Sequence, residues 1–272
     1  MMIFGWKNDV GKIVDSDVHA LKGNSNDAFI IQAASSTEDE APDMIKAVVF
    51  DLYGTLLAGD VQAGGEDKDE AVSRALREAG YDVYYQEVEV ARLAVMFIDY
   101  PRGRANTPRE FYAKVLERLE ISPDLKLAEA LAQEAAESDK LRLFEDVVPT
   151  VKALKAGGIK TAILTTIPTW RFKHLLDAGS VEIDYICTAK EAKAVKPNPR
   201  IYRTVLETLG VKPNEALMVG DESRTDVIPP KKIGMKAVML CQEEKEMAKE
   251  ADHVITSLTQ LLDIIEETRQ QL

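Results

Sequence analysis

Five polar side chains, Asp51, Thr165, Lys196, Asp221 and Asp226, stand at or just beyond the ends of short apolar runs. A carboxylate can attack phosphorus or carbon and form a covalent ester intermediate. The hydroxyl of Thr165 and the ammonium of Lys196 could hold an anionic group and offset charge that develops during that attack. Asp51 and Asp221 together could hold Mg²⁺, which takes one or two carboxylates alongside waters and substrate phosphate. Asp226 would then be a further ligand, direct or through water, or the group that orients Lys196. Asp51 alone could equally be a helix cap after a strand. The recurrence of polar residues at successive run ends is what argues for a shared site.

The elements that must position these groups are legible in outline. Ala47 to Phe50 is an apolar run of the kind a parallel sheet buries on both faces, and it ends on Asp51 before a Gly54-Thr55 turn. From Phe144 onward strands alternate with helices. Strands are expected at Ile159–Leu164, Ile183–Cys187, Ala216–Val219, Ala237–Leu240 and His253–Ile255. Helices are expected at Pro149–Ala156, Trp170–Ala178, Arg200–Leu209 and beyond Ser257. That alternation predicts an α/β fold, a doubly wound, Rossmann-like parallel sheet whose carboxyl ends converge on one edge.

Between the first strand and Phe144 the pattern is helical. Helices are expected from about Asp69, over Gln86–Asp99, after the Thr107-Pro108 cap with Glu110 in capping-box spacing, and from Ser122-Pro123 toward Leu141. The reading is a core over 44–60 and 143–272 with an inserted α-helical cap over 61–142. Residues 1–43 are polar and acidic toward Pro42 and are expected to form a poorly ordered N-terminal extension. A regulatory arm, or a true beginning at Met44, are the alternatives.

The balance of 34 basic against 46 acidic residues gives a net charge of −12, which argues against nucleic acid as a partner and leaves a small substrate. No stretch approaches the ~20 apolar residues of a membrane span. Cys187 and Cys241 have no metal-type spacing and are expected as buried thiols in a reducing cytoplasm. Monomer and homodimer are both compatible with the sequence.

Read together, the polar sites resemble the four motifs of the haloacid dehalogenase superfamily, in order from about Met44 to the C-terminus. Asp51-Leu52-Tyr53-Gly54-Thr55-Leu56 is similar to the first and Thr165 to the second. Lys196-Pro197-Asn198-Pro199 is similar to the third and Gly220-Asp221-Glu222-Ser223-Arg224-Thr225-Asp226 to the fourth. The resemblance implies Asp51 as nucleophile, Thr165 and Lys196 as phosphate-binding groups, and a Mg²⁺ site built from Asp51, the Tyr53 carbonyl, Asp221 and Asp226. Thr55 and Thr166, beside these, are taken as substrate contacts. A small anionic substrate follows.

One position departs from the family's phosphatases: Tyr53 replaces a second Asp that serves as general acid and base. A phenol with pKa near ~10 is a poor substitute near neutrality. Asp-x-Tyr-Gly-Thr resembles instead the family's 2-haloacid dehalogenases, in which halide leaves without a proton. Arg92 and Tyr202 resemble their substrate-binding residues, with a solvated helix charge and a half-buried helix aromatic as the plain alternatives. Asp221 points back to the metal-dependent phosphatases, because an acid there would be costly without a cation. Mg²⁺-dependent phosphate-ester hydrolysis is therefore the expectation. The alternatives are metal-independent 2-haloacid dehalogenation and a non-catalytic binding protein on the same fold.

Overall fold

A strand buried on both faces must be apolar on both, and β1 (Ala47–Phe50) is buried at every position. In this computed structural model, which describes residues 44–59, 68–138, 140–241 and 249–270, it lies in a six-stranded sheet. The expected extension over 1–43 lies outside the described residues. β1 pairs in parallel with β4 (Lys160–Thr165) on one side and β6 (Ala216–Gly220) on the other. β5 (Tyr185–Thr188) extends the first side. β7 (Lys236–Leu240) and β8 (His253–Ile255) extend the second, giving the order β5-β4-β1-β6-β7-β8. The chain proceeds from β1 to β4 on one side and from β6 to β7 on the other, so the topological switch, where open α/β sheets hold ligands, lies between β1 and β6, beside Asp51.

Alternate residues of β1 feed two cores. Val48 and Phe50 pack with Ile163 and Val219 and with Val151 and Leu154 of α5 (Val147–Ala156), Leu176 of α6 (Lys173–Ala178) and Ile265 of α10 (Leu261–Gln270). Ala47 and Val49 pack with Leu164 and Met218 under α8 (Pro199–Leu209). The buried stripe of α8, Ile201, Tyr202, Val205, Leu206 and Leu209, follows helical spacing. Asn198 caps its start, its side chain accepting from the Arg200 amide at 3.0 Å, and Gly210 ends it at φ 65°. Those two signals set where the helix begins, three residues after Lys196, and where it ends.

β2 (Leu57–Gly59) pairs antiparallel with β3 (Leu141–Leu143), and the described residues between them are mainly helical. It comprises α1 (Lys68–Glu78), α2 (Tyr85–Ala94), α3 (Pro108–Arg118) and α4 (Leu125–Ser138), which close over a separate core that includes Val72, Leu76, Val88, Phe111, Val115 and Leu131. Thr107 caps α3 as expected, accepting from the Glu110 amide at 3.2 Å; the Glu110 carboxylate reaches back to Asn106 rather than to Thr107.

Three expected boundaries shift. The helix expected to reach Leu141 stops at Ser138, because 141–143 pair with β2. The helix expected to run to Asp99 is α-helical only to Ala94, then continues as a π-turn, Val95–Asp99, and a 3₁₀ turn, Tyr100–Arg102, that Gly103 ends at φ 70°. Pro101 cannot donate an amide to a continuing helix. The helix expected from Trp170 begins at Lys173, after a 3₁₀ turn over Thr169–Arg171 that follows Pro168. Two short helices, α7 (Ala189–Ala192) and α9 (Ile228–Lys232), lie before Lys196 and after Asp226. No helix among the described residues is long and apolar enough to cross a membrane.

Candidate active site

Asp51 follows the last residue of β1 and is held by its own backbone, its amide donating to Val219 O of β6 at 2.8 Å. The chain then turns tightly: the amides of Leu56 and Leu57 both donate to Leu52 O, at 2.9 and 2.8 Å. Gly54 takes φ +75° in this turn, and a Cβ on it would lie 2.1 Å from Asp221 Oδ2. Glycine here is therefore a packing requirement as well as a conformational one. Gly220, which ends β6, has no such backbone demand. A Cβ there would fall 2.3 Å from Asp226 Cγ. The two glycines make room for the two acids of the fourth motif.

Lys196 ties the sites together. Its Nζ is 2.5 Å from Asp51 Oδ1 and 2.8 Å from Asp226 Oδ1, and its side chain is only 6% exposed. Asp226, in a π-turn over Ser223–Val227, also accepts from the Glu222 amide at 3.2 Å. Asp221 is exposed at the mouth, and carboxylate oxygens of Asp51, Asp221 and Asp226 lie within 4.8 Å of one another. Three carboxylates thus face one ammonium.

The electrostatics follow from that imbalance. Burial raises the Asp51 carboxyl above its usual range; Lys196 pulls it down and Asp226 pushes it up. The Asp221 carboxyl is raised too, first by lost hydration and then by the Asp226 charge. Burial alone would lower the Lys196 ammonium, but Asp51 and Asp226 outweigh it and hold the lysine protonated.

Thr165 ends β4 at 2% exposure, and its Oγ1 accepts from the Ile167 amide at 3.2 Å, which leaves the hydroxyl proton able to donate elsewhere. Thr166 beside it is half-buried. Thr55 is fully buried, and its hydroxyl has no hydrogen-bond partner among the described residues. Tyr53 is half-buried against the core, with the Arg171 guanidinium 6.0 Å over its ring.

Two expected substrate residues have protein partners of their own. Tyr202 is fully buried in the core under α8, and its hydroxyl donates to Thr225 O at 2.5 Å. It thereby braces the turn that carries Asp226. Arg92, on α2 among the helices, makes a two-point pair with Asp69, Nε to Oδ1 at 2.6 Å and Nη2 to Oδ2 at 2.8 Å. It shares the wall of a small cavity with Arg171 and Trp170, which follow β4. Arg171 was not visible as a site residue in the sequence. The Pro168 break shortly after Thr165 is the one local signal that the chain turns there.

The chain matches a model of the haloacid dehalogenase-like hydrolases over residues 45–234. It is 30% identical over 235 residues to a glyceraldehyde 3-phosphate phosphatase of Methanopyrus kandleri, across 82% of this chain and 98% of that protein. It is 27% identical over 187 residues to (S)-2-haloacid dehalogenase 1 of a Pseudomonas species, across 66% of this chain and 78% of that one. Among solved structures, a HAD phosphatase from Thermococcus onnurineus superposes with a TM-score of 0.56 at 26% identity, covering 81% of this chain and 98% of that one.

Proposed function

This chain belongs to the haloacid dehalogenase-like hydrolases, and we propose that within them it hydrolyses small phosphate monoesters with Mg²⁺ held beside Asp51. The observation that carries this reading is the convergence of Asp51, Asp221 and Asp226 on the single ammonium of Lys196. A surplus of hard oxygen donors, two of them seated over glycines that leave them room, suits a small divalent cation. Asp51, Asp221 and the Tyr53 carbonyl would hold the ion, with Asp226 a ligand directly or through water. An ion held there would polarise phosphoryl oxygens and offset their charge. The similarity to a glyceraldehyde 3-phosphate phosphatase supports phosphate esters over haloacids.

Lys196 engages Oδ1 of Asp51 and leaves the second oxygen to attack phosphorus. A P–O bond forms to the carboxylate as the ester P–O bond breaks, and the electron pair leaves on the alcohol oxygen, which takes a proton from solvent. Water then attacks the aspartyl phosphate, restoring Asp51 and releasing inorganic phosphate. Lys196 and Thr165 stabilise the phosphoryl oxygens in both steps. Tyr53 is a weak proton donor, so leaving groups of low pKa are favoured. The helical block, 61–142, is read as a cap over the core, 44–60 with 143–272, and the residues before 44 as an extension. Both cysteines are buried thiols, which supports a reducing, cytoplasmic setting.

Tyr53 favours a second reading, metal-free dehalogenation, since halide leaves unprotonated. Aryl-phosphate hydrolysis and chloride release from 2-chloropropionate, each with Mg²⁺ and with chelator, separate the two. The phosphatase reading expects phosphate release that chelator and Asp51→Asn both abolish. Phosphate release that survives chelator, or chloride release alone, overturns it.

A further inference from the structure

The Tyr100 phenol crosses from the helical block to the parallel sheet. It donates to Thr188 Oγ1 at 2.8 Å, and both residues are buried, Tyr100 at 3% and Thr188 at 0% exposure. Thr188 ends β5 and is the register partner of Thr165 on β4. It is also the N-cap of α7: its Oγ1 accepts from the Lys190 amide at 3.3 Å, and its amide donates to Glu191 Oε2 at 3.1 Å. Burial pushes the Tyr100 phenol up to about 12, so its proton stays on the oxygen near neutrality.

Both ends of this contact are fixed. Tyr100 follows the π-turn Val95–Asp99, and Asp99 is 2% exposed, paired with Arg104 at 2.8 Å and with Arg118 of α3 at 2.7 Å. On the sheet side, α7 leads through Lys193, at φ 51°, to Lys196, and the Ala194 amide donates to Ala189 O at 3.1 Å. Ala189 belongs to the core of the helical block, and Val195 packs against that core. The residue that precedes Lys196 is thus seated against the helical block. Two ion pairs at 2.5 and 2.8 Å leave the buried Lys196 side chain little slack for a shift of that segment.

We propose that Tyr100 is a positioning residue: through Thr188 and α7, its hydroxyl holds the Lys196 segment where the lysine meets Asp51 and Asp226. The kinetic consequence rests on the proposed role of Lys196 in phosphoryl transfer; the placement itself does not. Tyr100 is too buried to meet substrate, so it acts on turnover and not on affinity. The seating of the helical block on the sheet then sets the geometry of the lysine.

Tyr100→Phe removes the oxygen and keeps the buried ring. With an aryl phosphate and Mg²⁺, kcat is expected to fall by roughly tenfold or more while KM stays within about twofold. Thr188→Ser keeps both the acceptor and the cap and should hold kcat within about twofold of the parent. Thr188→Val removes the acceptor, so adding Tyr100→Phe to it should cost little further. A parental kcat in Tyr100→Phe, or a loss that falls on KM alone, overturns the proposal. So does a Tyr100→Phe loss that is undiminished in the Thr188→Val background.

Chemical labelling of Lys196 gives a readout that does not need turnover. Its side chain is 6% exposed, against 58% for Lys173. Brief acetylation with an N-hydroxysuccinimide ester well below the melting temperature, followed by peptide mass spectrometry, gives the rate at Lys196 relative to Lys173. Tyr100→Phe should raise that ratio by roughly threefold or more, and Thr188→Ser should not. An unchanged ratio in Tyr100→Phe overturns the proposal. Should Tyr100→Phe not fold, the same two readouts on Thr188→Val against Thr188→Ser decide. If the parent hydrolyses no ester but the ratio rises, the phosphatase reading fails and the placement of Lys196 by Tyr100 stands. If the parent is active and neither ratio nor kcat moves, the reverse is true.

Discussion

Replacing Gly220 by Ala puts a methyl carbon 2.3 Å from Cγ, 2.4 Å from Cβ and 2.4 Å from Oδ2 of Asp226. Non-bonded carbons rest at about 3.5–4.0 Å, so the carboxylate must retreat by more than about 1 Å. Its bonds to Lys196 Nζ at 2.8 Å and to the Glu222 amide at 3.2 Å cannot survive that movement. Asp226 is 1% exposed, so water does not replace them. Hydrogen bonds to charged groups contribute about 1.5–3 kcal/mol each, and partial relaxation leaves an expected loss of about 3 kcal/mol. In a domain of this size that lowers Tm by roughly 8 °C. Mg²⁺ affinity should fall by roughly a hundredfold, at about 1.4 kcal/mol per tenfold. Thermal melts in chelator and calorimetric Mg²⁺ titration measure the two effects. Gly157→Ala, where the new methyl meets nothing closer than 3.4 Å, is the control and should change neither. A Gly220→Ala protein that melts within about 1 °C of the parent and binds Mg²⁺ equally well would refute the argument that Asp226 is pinned in place by the missing side chain.

Tyr202→Phe deletes the hydroxyl that donates to Thr225 O and should cost about 1–2 kcal/mol while weakening Mg²⁺ binding several-fold, with circular dichroism unchanged. Unchanged Mg²⁺ affinity would mean the brace does not reach Asp226. Tyr53→Asp adds a carboxyl group where the leaving oxygen needs a proton, and should raise turnover of alkyl phosphates relative to aryl phosphates by about tenfold or more. Equal effects on both substrate classes would show that protonation is not limiting. Asp184 is pushed up by burial but held below its usual value overall by the Lys155 hydrogen bond, the Thr161 amide, the Lys155 charge and the Thr161 hydroxyl. A depressed carboxyl stabilises the fold above its unfolded-state pKa of about 3.9, and that contribution is lost as pH falls through the lower folded-state value. Urea midpoints from pH 7 down to pH 3 should therefore show a shallower acid decline in Asp184→Asn than in the parent, and parallel curves would exclude this contribution.

The sequence by itself carried the sheet and the polar residues at its edge. A strand buried on both faces must be an unbroken apolar run, and the first polar residue after it marks the edge, which is how Asp51, Thr165 and Asp221 were legible. Helix caps such as Asn198 and Thr107 were legible because capping is a contact between near neighbours in the chain. Other features depended on partners that no local pattern announces. β2 and β3 are three residues each and exist only because they pair with each other across the whole helical block. Arg92 and Tyr202 had the right types and spacing for substrate contacts. Which group each one meets, Asp69 for the first and Thr225 O for the second, was decided by the packing of α1 against α2 and of α8 beneath the Asp226 turn. Gly54 reads locally as a turn glycine, and only the fold brings Asp221 within 2.1 Å of the Cβ it lacks. Short-range constraints repeat along the chain and leave a pattern; contacts through space leave none until the chain has closed on itself.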